Sequence, residues 1–388
     1  MSDKIIIRGQ LLAAGHRDDG KLVDIAIDNG RVQSIKPAGR ARADIGDRET
    51  YLAPPLFDIQ VNGAFGIDLL SPDLRPEDVG ELSRKLAAWG VGRWVPTVIT
   101  AAPAHMERAC RVIAEAMHDR AVKRAVPGIH LEGPHISHED GPRGAHDKRH
   151  VRPPDLRLFD RLMKAADGHI LYTTLAPETP KAIPYIRAVV KRGVAVSLGH
   201  HAADADTIRK AADAGATLCT HLGNGLAPKL DRHNNPLWPQ LADDRLSISL
   251  IADGHHLPPE VLRVFARVKG PGRTILTSDA VHVAGLKPGH YKLGDIPVEL
   301  NTRGRVSLAG TQLLAGSALM LLQGVVHAAA HTELTLSQAV ACASTVPAKL
   351  FGLKPLTWPP RTGAQAELIV FRINERNRAV PQAAWPAI

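Results

Sequence analysis

Between residues 56 and 280 the chain repeats one pattern eight times: a short apolar run that ends in polar residues, then a stretch with helical spacing. The runs are LFDIQVNG (56–63), RWVPTVIT (93–100), VPGIHLEG (126–133), ILYTTLAPE (170–178), VAVSLGH (194–200), ATLCTHL (216–222), LSISLIADG (246–254) and RTILTSDA (273–280). Most are separated by an amphipathic segment such as PEDVGELSRKLAAWG or DADTIRKAADAG, the second opening on an Asp cap and closing on a Gly stop. Eight strand–helix units predict an α/β fold, a (β/α)8 TIM-type barrel rather than an open sheet. A β hairpin over about 290–308 interrupts the eighth unit. At the ends the period shortens to two: KIIIRGQLL, LVDIAIDNG and RVQSIKPAG alternate around an Asn29-Gly30 turn signal, and AELIVFRI does so at 366–373. These segments predict a small β domain built from both chain ends, residues 1–52 and 362–388, around a barrel domain of residues 53–361.

Chemistry-capable side chains recur at the strand ends, where barrel active sites are built: Gln60 and Asn62, Glu132, His200, His221, Asp253 and Asp279. Glu132, His200 and His221 offer one carboxylate and two imidazoles, which suits a catalytic metal with three protein ligands and an open position. A single Glu or His at such a place is ordinarily a cap, an ion-pair partner or a structural group; three at one rim predict metal binding. Asp279 fits either an N-cap or a carboxylate that takes a proton from water and returns it to a leaving amine.

Composition narrows the classes. Hydrophobic residues are 44% and charged residues 22%, ordinary globular usage, which excludes a disordered chain. Three well-separated cysteines, with no CxxC, argue for a reducing compartment and against a cysteine zinc site. Residues 306–332 carry no Asp, Glu, Lys or Arg, but their Gln, His and Gly content reads as a buried loop and helix. The expectation is a soluble cytoplasmic protein without membrane association. A net charge of +9 permits nucleic-acid binding, yet aromatics are only 4% and the basic residues are scattered among acids, so no nucleic-acid partner is expected.

The segments PPLFDIQVNG, PTVIT, GIHLEGPHI, RGAH, TLAPE, SLGH, THLGNGL, IADGHH, TSDA and LAGSAL together resemble the amidohydrolase superfamily, specifically its N-acetylglucosamine-6-phosphate deacetylases, in order over nearly the whole barrel. The resemblance implies a β-sandwich for the end domain and removal of the acetyl group from a small phosphorylated N-acetyl amino sugar. It implies one divalent ion, zinc with iron, manganese or cobalt as alternatives, on Glu132, His200 and His221, with Asp279 as the catalytic carboxylate. Many superfamily members carry His-x-His on the first strand; here Gln60 and Asn62 stand there, which implies a single metal with Gln60 touching its water. Substrate contacts implied by the motifs are Ala145, His146, Asn224, Gly225, Asp253, Gly254, His255 and His256, with Leu314, Ala315 and Gly316 closing over the acetyl-sugar end. Arg232 is implied to reach the phosphate of a neighbouring subunit, hence a homodimer. The departures after His146, around Asn224 and after Asp279 touch specificity, leaving N-acetylgalactosamine 6-phosphate or an N-acyl amino acid as alternative substrates.

Overall fold

The structure is a computed structural model that describes residues 4–293 and 296–385. The outermost residues of the expected end domain, 1–3 and 386–388, and residues 294–295 of the expected hairpin lie outside the described residues. The end domain is one six-stranded sheet. It comprises β1 (Ile5–Leu11), β2 (Leu22–Asp28), β3 (Arg31–Pro37) and β4 (Thr50–Ala53) from the N-terminal side, joined by β18 (Leu368–Ile373) and β19 (Ala379–Trp385) in the order β19-β18-β4-β1-β2-β3. Asn29 and Gly30, both at positive φ, make the tight β2–β3 turn that their sequence signals. Alternation sorts the side chains: Ile7, Ile25, Leu52, Leu368 and Val370 pack into the domain's own core, whereas Ile369 and Phe371 join the barrel's. The sheet runs through Ala53, one residue past the expected boundary.

All eight expected runs supply barrel strands: β5 (Leu56–Val61), β8 (Val91–Ile99), β9 (Ile129–Glu132), β10 (Ile170–Leu175), β11 (Ala195–Leu198), β12 (Leu218–Cys219), β13 (Ser247–Ile251) and β14 (Thr274–Thr277). A short ladder of β6 (Gly63–Ala64) and β7 (Ile67–Asp68) follows the first of them. The strands are parallel and pair in sequence order, and β5 meets β14 to close the ring. Where those strands part, Asn62 N–H donates to Ala280 O at 2.7 Å, and Asp58 accepts from the Thr277 hydroxyl at 2.8 Å and from Ser278 N–H at 3.0 Å.

Outward-facing Ile129, Leu131, Val196, Leu198, Ile248 and Leu250 pack under the helices. Inside, one end of the barrel is plugged by Phe57, Ile59, Val95, Tyr172, Leu218 and Ile275, capped by Ala348 of helix Thr345–Leu350. Beyond this plug the inward-facing residues include Thr97, His130, Thr174 and Ser197, and at the far mouth lie Glu132, His200, His221 and Asp279 beside Ile99 and Ile251. The expected hairpin is a three-stranded antiparallel sheet: β15 (Gly289–Leu293), β16 (Ile296–Leu300) and β17 (Val306–Leu308). Its Leu293 and Ile296 reach the mouth of the barrel. No helix among the described residues is long and apolar enough to cross a membrane.

Candidate active site

Glu132 is the last residue of β9, while His200 and His221 stand two residues beyond β11 and β12. His221 Nε2 lies 3.1 Å from both Glu132 Oε1 and His200 Nε2, and His200 Nε2 lies 3.5 Å from Glu132 Oε1. Bonds of 2.0–2.1 Å to a tetrahedral ion put neighbouring donor atoms about 3.3 Å apart, so these separations suit a zinc-sized cation. His200 Nδ1 faces Pro142 O at 2.9 Å, a contact that needs the proton on Nδ1 and so leaves a lone pair on Nε2 toward the cluster. The donor set fits a divalent metal. Asp279, beyond β14, is tied to the cluster by Gln60, whose amide NH2 donates to Glu132 Oε1 at 2.9 Å and to Asp279 Oδ1 at 3.0 Å. Asn62 donates to the same Asp279 oxygen at 2.8 Å.

His200, His221 and Asp279 all have positive φ, at 54°, 30° and 50°. A left-handed residue at the end of a strand turns its side chain into the mouth, at a cost of about 1 kcal/mol or more each. Gly225 makes room for one of them: a Cβ there would sit 2.8 Å from His200 Nδ1.

The electrostatics separate the two carboxylates. Burial alone would raise Glu132, but the His200 and His221 imidazoles hold it well below the usual carboxylate range. Burial, the largest single effect, would lower His221, but its hydrogen bond to Glu132 together with the Glu132 and Asp279 charges raises it. Asp279 is pushed up to about 7, first by burial and then by the Glu132 charge. Two neighbouring carboxyls with opposed shifts form the pattern of a fixed anion beside a proton carrier.

The comparisons decide what this constellation belongs to. The family model described as "Amidohydrolase family" matches residues 58–383. The N-acetylglucosamine-6-phosphate deacetylase of Homo sapiens is 34% identical over 348 residues, covering 85% of this chain and 81% of that protein. The N-acetylgalactosamine-6-phosphate deacetylase of Escherichia coli O157:H7 is 30% identical over 370 residues, 95% of each chain. The crystal structure of N-acetyl-D-glucosamine-6-phosphate deacetylase from Mycobacterium smegmatis matches with a TM-score of 0.84 at 29% identity, over 99% of this chain and 98% of that one. The chain belongs to the amidohydrolase family, in its N-acetylglucosamine-6-phosphate deacetylase branch. Amidohydrolases are metal-dependent, and Glu132, His200 and His221 are the buried cluster among the described residues that could hold an ion.

In this amidohydrolase the cluster and Asp279 share a cleft of about 700 Å³. Ala145, His146, Asn224, Gly225 and His256 line it, as do Leu314, Ala315 and Gly316. His146 Nε2 is 3.2 Å from His200 Nε2, and burial, then the proximity of the His200 ring, lower its pKa to about 3, which favours the neutral ring. Asp253 and His255 take other roles. Asp253 accepts from the backbone N–H groups of His255 and His256 and from His256 Nδ1 at 2.7 Å, orienting that ring, while His255 Nε2 faces Arg303 O. Gly254 packs against His327 rather than the cleft. Gln60 is fully buried between the two carboxylates. Arg232 is exposed and stands outside its own chain's cleft, its carbonyl accepting from Trp238 Nε1 at 3.1 Å.

Several lining groups escape the motif reading: Thr100 and His105 beyond β8, Arg149 and His150 after His146, and Leu293 and Ile296 from the inserted sheet. The sequence signals for them are the Asp-Lys-Arg-His departure after His146, the inserted segment after Asp279 that contains Leu293 and Ile296, and the PTVIT run that ends on Thr100. Asn62 stands at a strand end in the sequence, but its bond to Asp279 appears only in three dimensions.

Proposed function

We propose that the protein hydrolyses N-acetylglucosamine 6-phosphate to glucosamine 6-phosphate and acetate. The observation that carries the reading is the junction of Asp279 with the Glu132/His200/His221 cluster through Gln60, on the floor of one cleft, in a chain whose relatives bear this activity in their names. A divalent cation held by Glu132, His200 and His221, zinc in this reading, would polarise the acetamide carbonyl and acidify a water near neutral pH. Gln60 and Asn62 occupy Asp279 Oδ1, which leaves Oδ2 to receive the proton of the attacking water and pass it to the departing nitrogen. His146, neutral and at the cleft wall, offers an N–H to the oxygen that gains charge during attack. The C–N bond breaks, the amine leaves with the proton from Asp279, and acetate carries the water oxygen.

His256, with its ring fixed by Asp253, is placed to donate to the sugar or its phosphate. Arg232 is exposed and does not line its own cleft, so in this reading it serves a second copy of the chain and the working unit is a homodimer. Such a metabolic enzyme would act in the cytoplasm. The Escherichia coli relative makes the galacto epimer the second reading.

Purified, zinc-loaded protein assayed on both N-acetylhexosamine 6-phosphates, free N-acetylglucosamine and an N-acetyl amino acid tests the assignment. The gluco 6-phosphate is expected to give the highest kcat/KM. Equal rates without the phosphate overturn the substrate class, and a preference for the galacto epimer selects the second reading. Asp279→Asn is expected to keep its zinc by elemental analysis and lose about 10²- to 10⁴-fold in kcat. Full turnover in that variant removes Asp279 from its role.

A further inference from the structure

Directly behind the cluster, the inward-facing residues of five strands form a continuous hydrogen-bonded chain. Ser197 Oγ lies 2.5 Å from Thr220 Oγ1, which lies 2.7 Å from Thr174 Oγ1, which lies 2.8 Å from His130 Nε2. On its other side His130 Nδ1 lies 3.2 Å from Thr97 Oγ1, and that hydroxyl donates to Val95 O at 3.4 Å. The ring stacks on Tyr172 with centroids 3.8 Å apart and planes 7° from parallel, and the five members are 0–3% exposed.

Donor counting gives the chain a direction. Each hydroxyl has one proton and neutral imidazole has one N–H. If Thr97 donates to Val95 O, then His130 donates from Nδ1 to Thr97, Thr174 donates to His130 Nε2, Thr220 to Thr174, and Ser197 to Thr220. Every proton then has an acceptor, and the run ends on a backbone carbonyl. In the reverse sense the Ser197 proton has no acceptor among the described contacts.

Three of its members lead into cluster residues. His130 precedes Glu132 by two on the inner face of β9, Thr220 immediately precedes His221, and Ser197 lies on β11, which leads to His200. A Cβ on Gly199 would approach Thr220 Cβ to 2.8 Å, so the turn into His200 is moulded against the Thr220 side chain. His221 and His200 are two of the left-handed residues, and a strained conformation persists only where its surroundings over-determine it. Ser249 provides one such hold by accepting from His221 N–H at 2.8 Å.

We propose that Thr220, fixed by the His130–Thr174–Thr220–Ser197 chain, is a positioning residue that sets His221 and His200 for cation binding. The inference rests on the reading of Glu132, His200 and His221 as cation ligands. Pre-set ligands hold a cation without further ordering, so loosening them lowers affinity before it disturbs the fold.

The test is zinc affinity of the whole chain, measured by competition with a chromophoric chelator, beside the melting temperature of the zinc-free protein. Thr220→Val keeps the shape and deletes the hydroxyl; it is expected to weaken zinc binding about 10- to 100-fold, while Thr220→Ser stays within about threefold of wild type. Thr174→Val, one link away, is expected to shift affinity in the same direction and carries the test if Thr220→Val does not fold. Wild-type affinity in a folded valine variant, with only its melting temperature reduced, overturns the inference and assigns the chain to stability alone. His221→Asn separates the premises. Loss of tight zinc binding there with no change in the valine variants defeats the positioning role only, whereas unchanged binding in His221→Asn defeats the ligand assignment and this inference with it.

Discussion

At the scale of single residues, backbone conformation does much of the aiming. His200 and His221 leave their strands through φ angles that L-residues avoid, and the space for His200 exists because residue 225 lacks a Cβ. Gly225→Ala would push on His200 Nδ1 and also impose a side chain at φ +59°. The expected result is about a tenfold loss of zinc affinity and about 1 kcal/mol of stability, read by chelator competition and urea titration. Wild-type affinity in that variant would show that His200 tolerates the displacement. The identity of the cluster was legible in the sequence because Glu132, His200 and His221 each follow an apolar run. The left-handed turns were not, since His and Asp, though enriched in that conformation, adopt it in only a small minority of cases, whereas Gly adopts it freely. Gly225 was legible only as part of a motif, and the structure gives it a steric reason.

At the scale of elements, the barrel is held shut by a buried acid. Burial raises the Asp58 pKa above the ordinary carboxylate range, and Thr277 and Ser278 across the β5–β14 seam supply the donors that make it tolerable there. Asp58→Ala would leave those buried donors without their acceptor, with an expected loss of about 3 kcal/mol in urea unfolding and a disordered approach of Gln60 to Asp279. An unchanged urea midpoint would remove Asp58 from the seam. Strand existence and order were readable from periodicity alone, and the shortest strand, Leu218–Cys219, still came from a clear apolar run. What periodicity could not assign was the inner layer of hydroxyls. Thr97, Thr174, Ser197 and Thr220 look like interruptions in runs that a doubly covered parallel strand would fill with Val, Ile and Leu, and only closure of the ring brings them together. The inserted segment read as a hairpin because β17 is three residues long and its partner lies across a turn.

At the scale of the whole molecule, buried neutral histidines set the response to acid. Burial lowers His130 to about 3 and His135 and His201 to about 4. In the unfolded chain each takes up its proton near pH 6.5. Their contribution is therefore complete above that value and is lost as pH falls toward the native pKa values, because the unfolded state binds more protons throughout the window. Each histidine removes about 2 kcal/mol between neutrality and pH 5. Zinc-free protein should lose urea stability steeply from pH 6.5 to 5, and His135→Gln should flatten that slope by one proton's worth. An identical slope in the variant would show that His135 titrates normally.

The sheet shared by the two ends of the chain imposes an order on biosynthesis. Arg372 reaches Thr50 across 322 positions, and β4 obtains its antiparallel neighbour β18 only after the whole barrel has been made. Until then one side of β4 is an unfilled edge on a nascent polypeptide, open to pairing with the wrong strand. The barrel helices and strands emerge during that interval, so strands made after the barrel complete a sheet begun before it.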